Sequence, residues 1–394
     1  MKINLSQSKS TPNFSKPYAI TSYFCKMSNE TNYHNQDLKL ESPKNIESKN
    51  IRWRSPSNIA LVKYWGKHGQ QLPRNPSISL TLNNAVSETT LTYSPKRNNK
   101  LVDLSFYFEG TERTDFASRI EKYLSSLLPV FPFIEQFHFK IESSNSFPHS
   151  AGIASSASAM SALALCLCSM EKTLFGTLQN ENTFLQKASH IARLGSGSAS
   201  RSIYPYAAVW GIHQKVNGSS NLHAIPYSDK IHDIFQTFHD DILIISKKEK
   251  SVSSGAGHGL MENNLYANNR YLQANQRLEH LLDAMKVGDL KTFGEITEAE
   301  ALSLHALMMT SNPPYLLMEP NSIAAIRAVQ AYRNQTGHPL YFTLDAGPNL
   351  HLLYPDNIAE SVKDFIKSNL LCYCENKIYL PDHCGNGPEQ IKVL

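Results

Sequence analysis

Strand and helix signals fall in separate runs along this 394-residue chain, and that segregation constrains its fold more than any other feature. Apolar residues alternate with a period of two through 77–82, 88–93, 102–108 and 137–142, the spacing of half-buried strands. Residues 114–128, 155–170 and 183–194 carry helical spacing instead. A second half begins near Ser228 with an apolar strand at 241–246. Helices follow at 263–285, 289–308 and 322–336, the last stopped by Gly337. A strand pair at 339–344 and 350–354 and a helix at 357–369 complete the pattern. A doubly wound sheet would alternate strand and helix regularly, so these runs predict an α+β fold. The expected organisation is a mobile extension over 1–50, one domain over 51–228 and another over 229–394.

The extension is rich in Ser, Asn, Lys and Gln and poor in periodic apolar residues, too little to order a chain. Met27 is an alternative start. Glu30, Asp37 and Glu41 argue against a transit peptide. Net charge is +4, and no run of Lys or Arg concentrates it, so nucleic acid is not an expected partner. The most apolar stretch, 157–170, is shorter than the roughly 20 residues a membrane helix needs, so no membrane partner is expected either. The N-terminus lacks the apolar core of a secretory signal. These features together predict a cytoplasmic protein. Six cysteines, at 25, 166, 168, 372, 374 and 384, read as reduced thiols rather than a disulfide framework. Cys372-x-Cys374 also misses the usual zinc spacing.

Four segments carry candidate chemistry. Asn145 to Ala157 is a run of small residues opening a helix: backbone N–H groups there approach an oxyanion closely, and the helix dipole points at the same place. A plain Ser-capped helix start reads the same way. Arg193 to Arg201 repeats the idea, with alternating glycines and serines closed by an arginine suited to a carboxylate or phosphate. Its Gly195-x-Gly197 lacks the third glycine of a dinucleotide fingerprint. Asn58 to Lys67 sets two lysines around Tyr64 and Trp65, either snorkelling to solvent or held near phosphates. Asp345, at the end of an apolar strand and before Gly347-Pro348, is a turn former or a catalytic acid. Gly255 to Gly259 reads as a loop. No Walker A pattern, His-Glu-x-x-His or protein-kinase set occurs.

Taken together, and in this order, the four segments resemble the diphosphomevalonate decarboxylase family of the GHMP kinase superfamily. Pro148-x-x-x-Gly152-Ile153-Ala154-Ser155-Ser156-Ala157 is similar to the superfamily's ATP phosphate loop; the other three are similar to decarboxylase motifs. The resemblance runs from about Trp53 to Glu389. It implies an N-terminal domain like ribosomal S5 domain 2 and a ferredoxin-like α+β C-terminal domain, with the substrate between them. It implies that ATP and Mg2+ are used to convert 5-diphosphomevalonate to isopentenyl diphosphate. Carried over by position, Asp345 is the catalytic aspartate, Lys63 the lysine beside it, Arg201 the arginine on the substrate carboxylate, and Asn58 the residue orienting Arg201. Tyr64, Lys67, Arg113, Ser196 and Ser198 are the expected substrate-binding residues. Gly152, Ser155, Ser156 and Ala157 are the expected ATP-binding ones, with Ser156 also toward magnesium. A homodimer is expected because relatives often form one.

Two departures stand out. Ser202-Ile203-Tyr204-Pro205-Tyr206 replaces a Phe-Gly-Gly-like run, which predicts a stiffer pocket rim. Cys384 to Glu389 keeps a Gly-Asn-Gly-Pro variant of the family's C-terminal segment. Two alternatives remain open at this level. One is a small-molecule kinase of the same superfamily, or a decarboxylase of the monophosphate. The other is a catalytically silent binding protein of the same fold.

Overall fold

The computed structural model describes residues 33–96, 98–148, 153, 155–248 and 250–392. The compact unit is His34–Leu394. In chain order its strands are β1 (Lys49–Val62), β2 (Lys67–His68), β3 (Leu72–Pro73), β4 (Ser77–Pro95), β5 (Asp103–Phe108), β6 (Thr111–Glu112), β7 (Phe137–Asn145), β8 (Ala207–Trp210), β9 (Ala224–Pro226), β10 (His239–Leu243), β11 (Tyr341–Thr343), β12 (Leu350–Tyr354), β13 (Tyr379–Leu380) and β14 (Glu389–Ile391). The helices are α1 (Thr114–Ser126), α2 (Ser155–Phe175), α3 (Glu181–Gly195), α4 (Ser254–Leu260), α5 (Ala267–Val287), α6 (Leu290–Met309), α7 (Pro320–Thr336) and α8 (Ala359–Phe365).

The first sheet has eight strands, with the path β14-β1-β4-β7-β5-β6 and with β8 and β9 branching from β4. Its frame is the antiparallel pair of β1 and β4. The two short strands expected at 77–82 and 88–93 are one continuous strand, β4, which pairs β8 through its first part and β7 through its second. Two register shifts interrupt β1 opposite it, between Pro56 and Asn58 and between Ala60 and Val62. Bulges of this kind re-aim side chains, and here they precede the two residues on β1 and just beyond it expected to act on substrate, Asn58 and Lys63. From Ser55 onward β1 is buried on both faces, where α2, α6 and the turn at 197–203 pack against it. Helix α2 extends five residues past the expected end. It is long and apolar enough to cross a bilayer, with a mean hydropathy of 1.2, but 67% of that stretch is buried in the protein core. Its packing against β1, β4 and α3 accounts for its apolar surface.

The second sheet is β11-β12-β10-β13, antiparallel throughout, with α6 and α7 against β11. One apolar cluster joins the halves: Ile59 and Leu80 of the first sheet share a core with Leu278 of α5, Phe293 of α6 and Leu353 of β12. The chain then returns home. β14 pairs with β1, Arg54 lying opposite Glu389, and Gly385 lies so close to β4 that a Cβ there would sit 2.4 Å from the Leu82 carbonyl oxygen. That contact gives the glycine of the C-terminal segment its physical reason.

Two expectations need correction. Residues 1–32 lie outside the described residues, but the rest of the expected mobile extension is docked at a few points, and Lys49 and Asn50 already belong to β1. Leu38 is buried, the amide of Asn35 donates to Pro129, and Leu40 exchanges two hydrogen bonds with the Gln136 side chain. One buried leucine and satisfied backbone groups were invisible to a composition argument. Gly255–Gly259, expected as a loop, lies within α4, which Ser253 caps by accepting from the Ala256 amide at 3.2 Å.

Candidate active site

Three backbone devices bring charged side chains to one place. The first acts on Lys63, where β1 ends. Its amide donates to Glu300 of α6 at 2.9 Å, and its carbonyl accepts from Arg270 of α5 at 3.3 Å and from Asn75 at 3.1 Å. Arg270 in turn donates to Glu300 at 2.6 Å, and Arg277 donates to the same carboxylate at 2.9 Å. Both Arg270 and Glu300 are buried. Burial alone would raise the Glu300 carboxyl, but the arginines hold it below the usual range.

The second device holds Asp345. Its carbonyl accepts from His305 Nε2 at 3.1 Å and from the Gly347 amide at 2.8 Å. A carbonyl only accepts, so His305 carries its proton on Nε2; burial, opposed by this bond, pulls its pKa down to about 4 and keeps it neutral. The turn is tied further by Ser322 on the Pro348 carbonyl and by Asn349 on the Ser246 backbone.

The third holds Arg201, on a 3-10 turn over Gly197–Ile203. Asn58 Nδ2 donates to the Ser198 carbonyl at 3.1 Å and to the Ser202 hydroxyl at 2.8 Å, pinning the turn on both sides of the arginine. Asn58 therefore acts on the turn's backbone and on Ser202, one residue from Arg201.

Lys63 Nζ meets Asp345 Oδ1 at 2.9 Å, the lysine side chain 2% exposed and the aspartate 27%. Burial would raise Asp345, but Lys63, with smaller help from His351 and Lys250, holds the carboxyl below the ordinary range. Arg201 is buried and, among the described residues, hydrogen-bonded only to hydroxyls, Ser79 at 3.0 Å and Ser77 at 2.6 Å. Among the described residues no carboxylate lies within ion-pair distance of it. Burial lowers its pKa to about 10, with Asp345 and Tyr64 acting in the other direction, so it remains charged at neutral pH. A buried cation held by neutral acceptors is a costly arrangement that an incoming anion relieves.

These groups share a cavity of about 270 Å³ with Tyr64, Lys67, Ser156, Ser196, Ser198, Lys250 and His258. The hydroxyls of Ser156, Ser196 and Ser198 form a string at the N-terminus of α2, 3.2 and 3.5 Å apart. A second, more apolar cavity shares Ser156 and Gly195 with the first and is lined by Phe106, Phe108, Phe116 and Met160.

Residues 55–222 match the family model of the diphosphomevalonate decarboxylase-like N-terminal domain, and residues 241–383 that of the mevalonate 5-diphosphate decarboxylase C-terminal domain. The chain belongs to the diphosphomevalonate decarboxylase family. It is 30% identical to the Aspergillus fumigatus diphosphomevalonate decarboxylase over 80% of this chain and 79% of that relative. Among solved members of the family, MDDEF in complex with MVAPP, AMPPCP and magnesium superposes with a TM-score of 0.74 at 29% identity, covering 88% of this chain and 100% of that one. The Staphylococcus aureus mevalonate diphosphate decarboxylase gives 0.72 at 29%, over 88% and 99%. The mixed α+β architecture is that of GHMP-fold members of this family.

Of the positions singled out by resemblance to the decarboxylase family, the fold brings Lys63, Tyr64, Lys67, Ser156, Ser196, Ser198, Arg201 and Asp345 to the one cavity. Ser155 lines the second cavity. Ala157 is buried in α2 and lines neither; Gly152 lies outside the described residues. Arg113 is not brought there. It precedes α1, pairs with Asp115 through two hydrogen bonds at 2.8 and 3.0 Å, and lies over the Phe116 ring at 4.5 Å. A local carboxylate two residues away and a local ring hold it on the surface. Residues 202–206 also stay off the cavity wall, so the expected stiff rim is not formed by them. Tyr206 instead adopts a φ of 55° and donates its hydroxyl to Asn386. Sequence reasoning missed Lys250 and His258. Lysines 247, 248 and 250 ahead of a glycine-rich segment were the available signal.

Proposed function

We propose that this chain catalyses the ATP-dependent decarboxylation of 5-diphosphomevalonate to isopentenyl diphosphate, releasing ADP, phosphate and CO2. The carrying observation is the pairing of an ionised Asp345, held by Lys63, with a buried Arg201 that has no carboxylate partner among the described residues, in a cavity rich in cations. Relatives named as diphosphomevalonate decarboxylases support the reaction class.

In this reading the substrate carboxylate docks on Arg201. The 3-hydroxyl donates to Asp345, which orients its oxygen toward the γ-phosphorus of ATP. The new O–P bond forms as the bond to ADP breaks, the hydroxyl proton ends on an oxygen of the transferred phosphate so that Asp345 stays ionised, and Lys63 spreads the charge on the moving phosphoryl group. The phosphate then leaves C3. The electron pair of the C–CO2⁻ bond becomes the new double bond and CO2 departs. Positive charge at C3 is stabilised by the Asp345 carboxylate, an attraction strengthened by a water-poor cavity. Tyr64, Lys67 and Ser198 hold the diphosphate end, and Lys250 supplies a further cation. ATP would run from the phosphate-binding start of α2, at Ser155 and Ser156, to the apolar cavity, where Phe106, Phe108 and Phe116 suit a flat base. The hydroxyl of Ser156, on a helix N-terminus among other hydroxyls, is a hard oxygen donor that fits Mg2+ chemistry. When bound, Mg2+ neutralises phosphate charge. A cytoplasmic location belongs to the same proposal, supported by five unpaired cysteines among the described residues, and so does a homodimer.

The test is an assay of ADP and CO2 release with 5-diphosphomevalonate and with 5-phosphomevalonate. Equal ADP and CO2 from the diphosphate is the expected result. ADP without CO2 makes the protein a kinase, and preference for the monophosphate moves it to the other decarboxylase activity.

The Tyr64 hydroxyl gives a sharper check. It is buried without a hydrogen-bond partner among the described residues, and burial raises its pKa despite Arg201 and Arg193 nearby. Removing an unsatisfied buried hydroxyl removes a desolvation penalty. Tyr64→Phe is therefore expected to leave the free enzyme as stable as the parent, or up to about 1 kcal/mol more stable. Its KM for the diphosphate should rise severalfold. Loss of stability in a thermal melt would mean that the hydroxyl is already satisfied in the free enzyme.

A further inference from the structure

Among the described residues lining the cavity, His258 is the one titratable side chain that neither the chemistry above nor the sequence motifs use. It lies on α4, in the segment first read as a loop. Its ring sits against Tyr64, centroids 4.3 Å apart, and against Trp65 at 4.6 Å. Its Nδ1 is 3.0 Å from the Gly66 amide nitrogen, and an amide N–H only donates. Nδ1 must then be the unprotonated acceptor. A second proton on the ring would put two N–H groups face to face, so this backbone bond fixes the neutral tautomer with its hydrogen on Nε2. Burial acts in the same direction, with Lys67 adding to it, and pulls the pKa down to about 3.

The ring has no freedom to turn away. A Cβ on the neighbouring Gly257 would meet Trp65 at 2.6 Å and Tyr315 at 2.7 Å, so α4 packs directly against the aromatic face beside the site. Nδ1 is taken, and Nε2 has no partner among the described residues. The ring lines the same cavity wall as Lys67 and Ser196. The charge around it explains the choice of group. Lys63, Lys67, Lys250 and Arg201 already crowd this cavity, and Asp345 is the only carboxylate among the described residues that line it. A fifth cation would be repelled in the free enzyme, whereas a neutral N–H supplies a hydrogen bond to a phosphate oxygen without adding charge.

We propose that His258 is a substrate-binding residue that donates from Nε2 to the diphosphate of the substrate, and that it helps to set the preference for a diphosphate over a monophosphate. This rests on the decarboxylase reading above. Gly66, between Trp65 and Lys67, links the two parts of the device. The same amide that fixes the tautomer belongs to the segment carrying Tyr64 and Lys67, so donor, hydroxyl and ammonium are set in one frame.

The test compares His258→Phe, which keeps a ring and loses both nitrogens, with His258→Gln, which restores a neutral N–H donor. Steady-state kinetics with 5-diphosphomevalonate, 5-phosphomevalonate and ATP are paired with thermal melts. For His258→Phe the expected result is a KM for the diphosphate raised about tenfold, the scale of one hydrogen bond to a charged group. Its KM for ATP and its kcat should stay within about twofold, and its preference for diphosphate over monophosphate should shrink by the same tenfold. His258→Gln should recover part of both. Unchanged diphosphate KM in His258→Phe overturns the proposal. So does a parallel rise of both KM values with a lowered melting temperature, which marks a packing role. If His258→Phe is unfolded, His258→Gln alone decides: parental selectivity supports donation, and a loss equal for both substrates overturns it. A parent enzyme that turns over no mevalonate derivative fails the decarboxylase reading itself, a result distinct from any variant's.

Discussion

Asp345→Asn is expected to lower kcat by at least about a hundredfold, the scale of one lost acid–base or electrostatic group. The substitution keeps the size and one hydrogen-bond acceptor, so Lys63 retains a neighbour and the Asp345 backbone keeps its bonds to His305 and Gly347. What disappears is the negative charge facing C3 and the 3-hydroxyl. KM for the diphosphate should change far less, because Arg201, Lys67 and Tyr64 are untouched. Single-turnover measurements of ADP and CO2 separate the two steps: a carboxylate that matters to both slows both. Near-parental turnover would remove Asp345 from the chemistry. The pH profile carries a sign as well. The folded pKa of Asp345 is depressed, so its ionised form persists as pH falls below the ordinary carboxylate range of about 3.9. Loss of kcat/KM between pH 7 and 5 must therefore come from another group.

Glu300→Ala is expected to destabilise the protein by about 3–5 kcal/mol, the cost of breaking a buried ion pair by removing one partner. Arg270 is 3% exposed and would keep its charge with no carboxylate, and the Lys63 amide would lose its acceptor. Arg277, on the more open side of the cluster, can turn to solvent and adds less. Glu300→Gln keeps an acceptor for the Lys63 amide and should fall between the parent and Ala. Urea denaturation measures the order. A loss below about 1 kcal/mol for Ala, the range of exposed pairs, would show that the arginines find other partners. The surviving folded fraction is informative too. This clamp is the link by which α5 and α6 hold the end of β1, so Lys63 should lose its registration on Asp345 and kcat should fall even where the protein remains folded.

How much of this was legible in the sequence follows the range of each signal. Period-two alternation marked β5 and β7, and helical spacing with Gly337 as stop marked α7, where the glycine adopts a φ of 72°. These are local patterns set by one neighbouring face. β1 was hidden, because from Ser55 it is buried on both sides and carries no alternation. β14 was hidden because three residues pair only after the chain has crossed the whole second half. The packed stretch at 35–48 was hidden because its one anchoring leucine leaves no period.

For the site, Asp345, Lys63 and Arg201 were singled out by resemblance to the decarboxylase family, and the fold brings all three to one cavity. Arg113 is not brought to the cavity, because resemblance cannot tell which carboxylate an arginine will meet; here it meets Asp115, two residues on. The sequence by itself determined the charges available, the local elements and the family. Only the tertiary structure decided which charges are left unpaired, that Lys63 is fixed by a buried Arg270–Glu300 pair, and that His258 must be neutral. Each of those depends on which distant groups are brought within about 3 Å, and hydrogen bonds and burial act at that range and not along the chain.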